Sequence, residues 1–333
     1  MDVLVIRFSS LGDVILASAA VEALKRLYPS ANIHFLTKRA YEQVFSADER
    51  VSHLISIGGH ESPWAIVKWF SIRRYDLIVD LHRSLRSIGV ASLLHAPKKL
   101  HVRKRAIARR FMVASRNRYR RRFDALGSYL ETLAPVGFEG RILPRIIPDM
   151  HSVGKAEQLL GTCRGRGTGK IVGIAPGARH ATKRWNEKSF ARLADELIKR
   201  GDVPVFLGDE EDNGMIGRID ALMEHTAWSL AGELTLAGTI GLVSRLDAVV
   251  TNDSGPMHIA GALGIPFVAV FGPTHPDLGF CPGYPRGAVL TTGESCSPCS
   301  LHGAAPCRMP SRRCMDGITW EMVRDKLCAV MGE

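Results

Sequence analysis

Short runs of consecutive apolar residues alternate with longer amphipathic stretches along most of the chain. In the first half, the runs DVLVIRF, NIHFL and DLIVDL predict buried strands, and the stretch from about Asp13 to Tyr28 predicts a helix closed by Pro29. From residue 170 the pattern restarts, with strands predicted at KIVGIAPG, VPVFLG, DAVVTND and FVAVFG and helices between them. Strands that are apolar at every position are typical of a parallel sheet covered on both faces. The sequence therefore predicts an α/β protein with two doubly wound sheets.

A stretch rich in proline and glycine separates the two halves. Residues 135–154 contain three prolines and three glycines, a composition typical of a linker. We therefore expect two domains, 1–150 and 151–333, which also suits a chain of 333 residues. Ligands of such sheets bind beyond the carboxyl ends of the strands. Functional residues are expected at those strand ends, in a cleft shared by the two domains.

Composition is that of an ordinary globular protein, with 46% hydrophobic and 23% charged residues. The longest apolar runs are too short to span a bilayer, and the first residues have no pattern of a secretory signal. We therefore expect a cytoplasmic protein.

Positive charge is concentrated in the first half. Residues 1–150 hold 25 Lys and Arg against 13 Asp and Glu, whereas residues 151–333 hold 19 against 20. This excess predicts an anionic partner for the first half. Within it, residues 98–122 hold 12 basic side chains and no acidic one. That segment fits a solvated helix face, an amphipathic helix with affinity for anionic lipid or a phosphorylated head group, or a nucleic-acid contact.

The end of one predicted strand in the second half has the features of a phosphate site. Asp253 and Ser254 can cap the following helix, and Gly255 allows close backbone approach. His258 lies on the same helix face as Ser254, so a hydroxyl, backbone N–H groups and an imidazole could converge on a diphosphate. The alternative is an ordinary capped core helix with a satisfied histidine.

A second loop strengthens the phosphate interpretation. The segment APGARHATKRWNEKSF follows another strand, turns at Gly177 and carries Lys183 with two arginines nearby. Cations on this loop and N–H groups on the other would clamp a diphosphate without a metal. Glu210, at a third strand end, could accept hydrogen bonds from a ribose, although acids are also common on surface turns.

The first helix begins with an acid where many α/β proteins bind phosphate. Asp13 already supplies negative charge at that helix N-terminus. It is therefore either a simple cap or a functional carboxylate.

Five motifs in this order resemble glycosyltransferase family 9, the ADP-heptose:lipopolysaccharide heptosyltransferases: SSLGDV, APGARHATKRW, LGDEED, SLAGELTL and TNDSGPMHIAGALGIPFVAVFGPT. The resemblance spans residues 2 to 274 and implies a GT-B fold, with the nucleotide sugar in the C-terminal domain and the acceptor in the N-terminal one. It implies that Asp13 is the catalytic base and that Lys183 assists the departing phosphate. The donor-binding residues that it implies, together with the turn glycine, are Gly177, Lys183, Glu210, the backbone near Leu234, Asp253, Ser254, Gly255 and His258.

We accordingly expect an inverting enzyme that moves heptose from ADP-heptose to a lipopolysaccharide inner-core acceptor, either Kdo or the first heptose, without a catalytic metal. The expected partners are ADP-heptose, an anionic lipid A/Kdo-type acceptor and the inner face of the cytoplasmic membrane, with no nucleic acid. Acceptor contacts are expected from Arg83, Arg86, Arg103, Lys104 and Arg105. Transfer to a protein hydroxyl or another glycan, and a non-enzymatic protein that binds RNA or lipid, are the alternatives.

The C-terminal region carries four cysteines in the segment CSPCSLHGAAPCRMPSRRC. The spacing of Cys296, Cys299, Cys307 and Cys314 could support a tetrahedral thiolate site for structural zinc or iron. Free thiols, or disulfides formed on isolation, are the alternatives in a cytosolic protein.

Overall fold

The computed structural model describes residues 1–68, 70, 74–115, 121–164 and 169–333. The chain divides into two compact units, one made of residues 1–105 and 124–147 and the other of residues 106–123 and 148–333.

The first unit is built on a parallel sheet of five strands in the order β3-β2-β1-β4-β5. These strands are β1 (Asp2–Ile6), β2 (Asn32–Lys38), β3 (His53–Ile57), β4 (Leu77–Asp80) and β5 (Lys98–His101). The helices in this part of the chain are α1 (Leu11–Leu27), α2 (Pro63–Lys68), α3 (Leu85–Leu93), α4 (Ala106–Ala114) and α5 (Ala125–Glu131). Of these helices, α4 belongs to the second unit.

The second unit contains a parallel sheet of six strands in the order β11-β10-β9-β6-β7-β8. These strands are β6 (Ile171–Ala175), β7 (Val203–Phe206), β8 (Trp228–Ser229), β9 (Ala248–Asn252), β10 (Phe267–Val270) and β11 (Gly287–Leu290). Its other helices are α6 (Met150–Arg164), α7 (Glu187–Lys199), α8 (Asn213–Asp220), α9 (Leu236–Val243), α10 (Gly255–Leu263), α11 (Arg313–Asp316) and α12 (Trp320–Met331). Short 3-10 turns lie at Arg39–Val44, Ala134–Val136, Ala181–Lys183, Glu210–Asp212 and Pro276–Leu278.

Both sheets confirm the prediction of doubly wound α/β architecture. The strands β4, β6, β9 and β10 are buried at every position, as expected for sheets covered on both faces. In each sheet the winding direction reverses between two neighbouring strands, β1 and β4 in the first unit and β6 and β9 in the second. Ligands of open α/β sheets bind at such reversals, beyond the carboxyl ends of the strands.

The two units differ from the predicted domains 1–150 and 151–333 in two places. The last crossing between the units is at 147/148, and helix α6 begins at Met150, inside the predicted linker. Residues 106–123, expected in the first domain, pack instead with the second unit, because Met112 of α4 shares a small core with Phe123 and Leu278. Burial of that apolar helix face accounts for the difference.

No helix in the part of the chain that the structure describes is long and apolar enough to cross a membrane.

Candidate active site

Asp13 lies at the carboxyl end of the first sheet, as the third residue of α1, and Ser10 rather than Asp13 is the N-cap of that helix. The Asp13 carboxylate pairs with the Arg7 guanidinium at 2.6 Å and accepts hydrogen bonds from the Ser10 hydroxyl at 2.9 Å and the Tyr129 hydroxyl at 3.1 Å. The simple cap interpretation therefore accounts for only part of its contacts.

The charge state of Asp13 follows from these neighbours. Burial raises its pKa, but the positive charge of Arg7 and the hydrogen bonds from Ser10 and Tyr129 outweigh burial and hold the pKa below the usual value. Asp13 is therefore a carboxylate at neutral pH. Arg7 is itself fixed, because its guanidinium donates to the carbonyl of Leu81 at 2.7 Å and lies 5.5 Å from the centre of the Tyr129 ring.

Further polar groups surround this carboxylate at the ends of β4 and β5. Partial burial and the charge of Arg7 lower the pKa of Lys104, and the negative charge of Asp13 opposes them. Burial, with the charges of Arg7 and Lys104, lowers the pKa of His82 to about 3. His82 is therefore neutral, and its ring lies 5.0 Å from that of Phe8. The site combines the ionised Asp13 with the cations Arg7 and Lys104 and the uncharged imidazole of His82.

The expected acceptor residues are distributed unevenly around it. The Arg83 guanidinium donates to the carbonyl of Val102 at 2.9 Å, whereas Arg86 donates to the carbonyl of Gly59 at 2.8 Å. Arg103, Lys104 and Arg105 are all exposed. The structure thus brings Lys104 into the electrostatic environment of Asp13, with Arg83 acting on Lys104, and the acceptor roles of all five basic residues stay predictions.

The basic segment 98–122 contains the predicted amphipathic helix as α4. Met112 is buried, whereas Ile107 and Phe111 are exposed. Residues 116–120 of the segment lie outside the described residues.

In the second unit, Lys183 and Asp253 meet at the reversal between β6 and β9. The Lys183 ammonium lies 2.7 Å from an Asp253 carboxylate oxygen, which also accepts a 2.6 Å hydrogen bond from Thr274. Both charged side chains are mostly buried, with 15% and 10% of their surface exposed. The predicted donor loop and the predicted phosphate helix are therefore joined by an ion pair.

Asn252 provides a second connection between these two segments. Its amide oxygen accepts from the backbone N–H of Trp185 at 3.0 Å, and its amide nitrogen donates to the carbonyl of Pro176 at 2.7 Å. One side chain at the end of β9 therefore fixes both ends of the loop that carries Lys183.

The start of α10 differs from the predicted cap. Ser254 occupies the N-cap position, but its hydroxyl pairs with the Thr251 hydroxyl at 3.1 Å and makes no hydrogen bond to the helix backbone. The expectation that a side chain caps this helix is therefore wrong for Ser254. Gly255 is the first helical residue, and His258 is buried on the helix.

The remaining expected donor residues lie at the ends of β6, β7 and β8. Gly177 has no room for a side chain, because an added Cβ would come 2.1 Å from the Asp212 carboxylate. Glu210 is exposed on the turn after β7. Leu234 belongs to the loop after β8. Gly232 of that loop packs against the Glu210 backbone, because a Cβ added at Gly232 would lie 3.2 Å from the Cα atom of Glu210. The pocket roles of these residues stay predictions.

The four cysteines of the C-terminal region line one pocket of the second unit. Burial and the neighbouring cysteines raise the pKa of Cys314 to about 11, and burial also raises the pKa of Cys299. Among the described residues, no three His, Cys, Asp or Glu side chains are arranged so that they could hold a metal ion. Zinc or iron at Cys296, Cys299, Cys307 and Cys314 stays a prediction.

The cysteine-containing segment also contacts the loop that carries Lys183. The Thr182 hydroxyl donates to the carbonyl of Gly303, and the Arg312 guanidinium donates to the carbonyl of Ala181 at 3.1 Å. An added Cβ on Gly303 would lie 2.6 Å from the Lys183 side chain. The segment therefore helps to fix the position of Lys183.

Comparison with known proteins identifies the fold and the family. A profile described as glycosyltransferase family 9 (heptosyltransferase) matches residues 64–303. Lipooligosaccharide heptosyltransferase 2 of Haemophilus influenzae is 27% identical over 298 residues, which cover 83% of this chain and 85% of the relative. The crystal structure of a family 9 glycosyl transferase from Veillonella parvula superimposes with a TM-score of 0.82 at 21% identity, covering 99% of this chain and 97% of that one. The structure of Escherichia coli ADP-heptose LPS heptosyltransferase II gives a TM-score of 0.77 at 23% identity, covering 99% and 98%.

These likenesses confirm the expected GT-B fold. The expectation of a glycosyltransferase is also confirmed, and the alternative of a non-enzymatic binding protein is wrong. Because the family profile matches most of its length, the chain belongs to glycosyltransferase family 9, the heptosyltransferase family.

Proposed function

We propose that this enzyme transfers heptose, with inversion, from ADP-heptose to an acidic inner-core acceptor of lipopolysaccharide, either Kdo or the first heptose. The observation that carries the proposal is the ionised carboxylate of Asp13, held among cations at the winding reversal of the first sheet. The names of the relatives, which include heptosyltransferases of lipooligosaccharide and an ADP-heptose enzyme, support the donor and the acceptor class.

In the proposed reaction, Asp13 takes the proton of the acceptor hydroxyl while the oxygen attacks the anomeric carbon of heptose. The bond from that carbon to the phosphate oxygen breaks, and ADP leaves from the opposite face. A carboxylate with a lowered pKa is fully ionised at neutral pH, and the hydroxyl becomes acidic as its oxygen bonds to carbon. In this proposal Asp13 acts only as a base and the acceptor oxygen is the nucleophile, so a single displacement inverts the anomeric carbon.

The leaving diphosphate needs positive charge, which the proposal assigns to Lys183 and to the N–H groups at the start of α10. The Ser254 hydroxyl does not occupy those N–H groups, and helix N-termini bind phosphate readily. The proposal includes no catalytic metal, since the lysine and the helix supply the charge stabilisation that a metal would otherwise give. Glu210 is assigned to the ribose.

The cations near Asp13 favour an acidic acceptor over a neutral one. The charges of Arg7 and Arg83 both act on Lys104, so a carboxylate or phosphate beside the reacting hydroxyl would relieve the repulsion on Lys104. This charge pattern favours a Kdo-containing or phosphorylated acceptor over transfer to an uncharged glycan or a protein hydroxyl. The same charge pattern supports the proposal that the enzyme acts at the anionic inner face of the cytoplasmic membrane, on a lipid-linked acceptor.

The test replaces Asp13 by Asn and follows heptose transfer by mass spectrometry and ADP affinity by calorimetry. Transfer should fall about 100-fold or more, the usual scale for a positioned base, while ADP binding, assigned to the second unit, stays unchanged. Asp2→Asn is the matched control, because Asp2 is at the opposite end of β1. Near-normal transfer by Asp13→Asn would remove Asp13 from the chemistry. A panel of ADP-, UDP- and GDP-sugars in a thermal-shift assay tests the donor.

A further inference from the structure

A second feature of the first unit is a set of large apolar side chains that face solvent on α2 and α3. Leu85 is 92% exposed, Trp64 is 69% exposed and Ile88 is 39% exposed. Leu85 and Ile88 are three residues apart on α3 and so share one face of that helix. Single exposed apolar residues are common, but a group of this kind marks an interaction surface.

The two helices present these side chains because their other faces are already buried. Ile66 of α2 and Val90 of α3 belong to the same core. The helices pack tightly, since an added Cβ on Gly89 would come 3.0 Å from the Pro63 ring. Trp64 follows Pro63 directly on α2, and we name the exposed side chains Trp64, Leu85 and Ile88 together the α2–α3 face.

A buried carboxylate fixes the turn that begins α3. Asp80 is fully buried and accepts the backbone N–H groups of His82 and Arg83, both at 2.8 Å, and the Ser87 hydroxyl at 2.9 Å. The turn therefore starts at the reversal beside Asp13 and ends at Leu85. The α2–α3 face directly adjoins the edge of the sheet to which the acceptor is assigned.

The charge around this face is positive. Lys68 ends α2 and Arg86 follows Leu85 on α3, and neither is buried. Of the acids in this part of the chain, Glu61 accepts a backbone N–H at 2.6 Å, and Asp80 is buried. Exposed Trp and Leu beside Arg and Lys are typical of surfaces that lie in the head-group region of an anionic membrane.

We propose that the α2–α3 face, whose most exposed side chain is Leu85, docks on an anionic phospholipid surface and brings the first unit to its lipid-linked acceptor. This inference rests on the proposed function. Insertion of Leu85 and Ile88 supplies apolar burial, and the surrounding arginines and lysines supply attraction to lipid head groups. The basic helix α4 is then not required for membrane contact.

The experiment measures sedimentation of the full chain with vesicles of phosphatidylglycerol and phosphatidylethanolamine. Leu85→Gln/Ile88→Gln should weaken vesicle binding by about tenfold or more, since each methylene group withdrawn from the bilayer lowers the free energy gained by insertion. Leu222→Gln is the matched control, because Leu222 is an exposed leucine of the second unit, and its binding should equal that of the parent. The double variant should retain parental kinetics with a deacylated, water-soluble acceptor and lose them only with the lipid-linked one.

Parental vesicle binding by Leu85→Gln/Ile88→Gln would overturn the inference. Loss of vesicle binding by Ile107→Gln/Phe111→Gln alone would also overturn it, because the membrane contact would then belong to α4. If Leu85→Gln/Ile88→Gln changed the oligomeric state but not vesicle binding, the face would instead be a contact between copies of the chain. Failure of the parent to transfer heptose to either acceptor would instead contradict the proposed function, and the vesicle measurement would still decide the membrane contact.

Discussion

Replacing Lys183 separates a structural role from a role in phosphate binding. Its ammonium lies 2.7 Å from the Asp253 carboxylate, and both side chains are mostly buried. Lys183→Ala therefore leaves a buried carboxylate whose one remaining side-chain partner, among the residues that the structure describes, is the Thr274 hydroxyl. Breaking one side of a buried pair costs about 3–5 kcal/mol of unfolding free energy. The single variant should be both unstable and poor at binding ADP, so its phenotype alone does not decide between the roles.

The double variant Lys183→Ala/Asp253→Asn resolves the two effects. Asparagine keeps the shape of Asp253 without its charge, so we expect urea denaturation to show most of the lost stability restored. The lost contact between an ammonium and a phosphate is worth about 1.5–3 kcal/mol, and ADP binding by calorimetry should therefore stay about 10- to 150-fold weaker than in the parent. Asp253→Asn alone should leave ADP binding within a few-fold of the parent. Parental ADP affinity in the double variant would refute a phosphate role for Lys183 and leave it only as the partner of Asp253.

Three further results are expected. The first concerns His82, which takes up its proton near pH 3 in the folded protein and near pH 6.5 when unfolded. Because the unfolded state then binds more protons below pH 6.5, this residue should lower the free energy of unfolding by up to about 1.4 kcal/mol for each pH unit that the pH is lowered. His82→Gln should show a shallower fall in urea titrations between pH 6.5 and 5. Changing Arg103, Lys104 and Arg105 together to Gln should raise the KM for an acidic acceptor about tenfold or more while ADP affinity is kept; an unchanged KM would make these side chains a solvated surface. If the cysteines bind a metal, elemental analysis should find about one zinc or iron per chain, and Cys299→Ser should lower both the metal content and the melting temperature; four titratable thiols without metal would exclude the site.

The fold was predictable because the apolar pattern is strong. The strand that ends near Asp80 is apolar at nearly every position, and the structure buries all of it. One crossing between the units, at 147/148, lies in the proline- and glycine-rich stretch 135–154, but no such composition marks those at 105/106 and 123/124. The position of α4 was not predictable, since its apolar side chains indicate an amphipathic helix without indicating which unit covers Met112.

The candidate site was predictable where the chemistry is local. Asp13, Lys183 and Ser254 each follow a strand, so their grouping at sheet edges could be expected. Two of their hydrogen-bond partners come from elsewhere in the chain. Tyr129, which contacts Asp13, is 116 residues away in sequence, and Thr274, which contacts Asp253, is 21 residues away. Arg7 and Ser10 were missed partners of Asp13 with a local signal, since a cation directly follows the first strand and a serine precedes the first helix.

The route of the chain between its two units limits how these enzymes can be recombined. The chain passes from one unit to the other at residues 105/106, 123/124 and 147/148. A chimera with a single junction near residue 147 would bring the first sheet from one parent together with that parent's α4, whose Met112 would then meet a foreign Leu278. A first unit exchanged as 1–105 and 124–147 around the host's own 106–123 keeps this small core intact. Substitutions in α4 should therefore vary together with the second unit that packs against it rather than with the first-unit residues that flank it in the sequence.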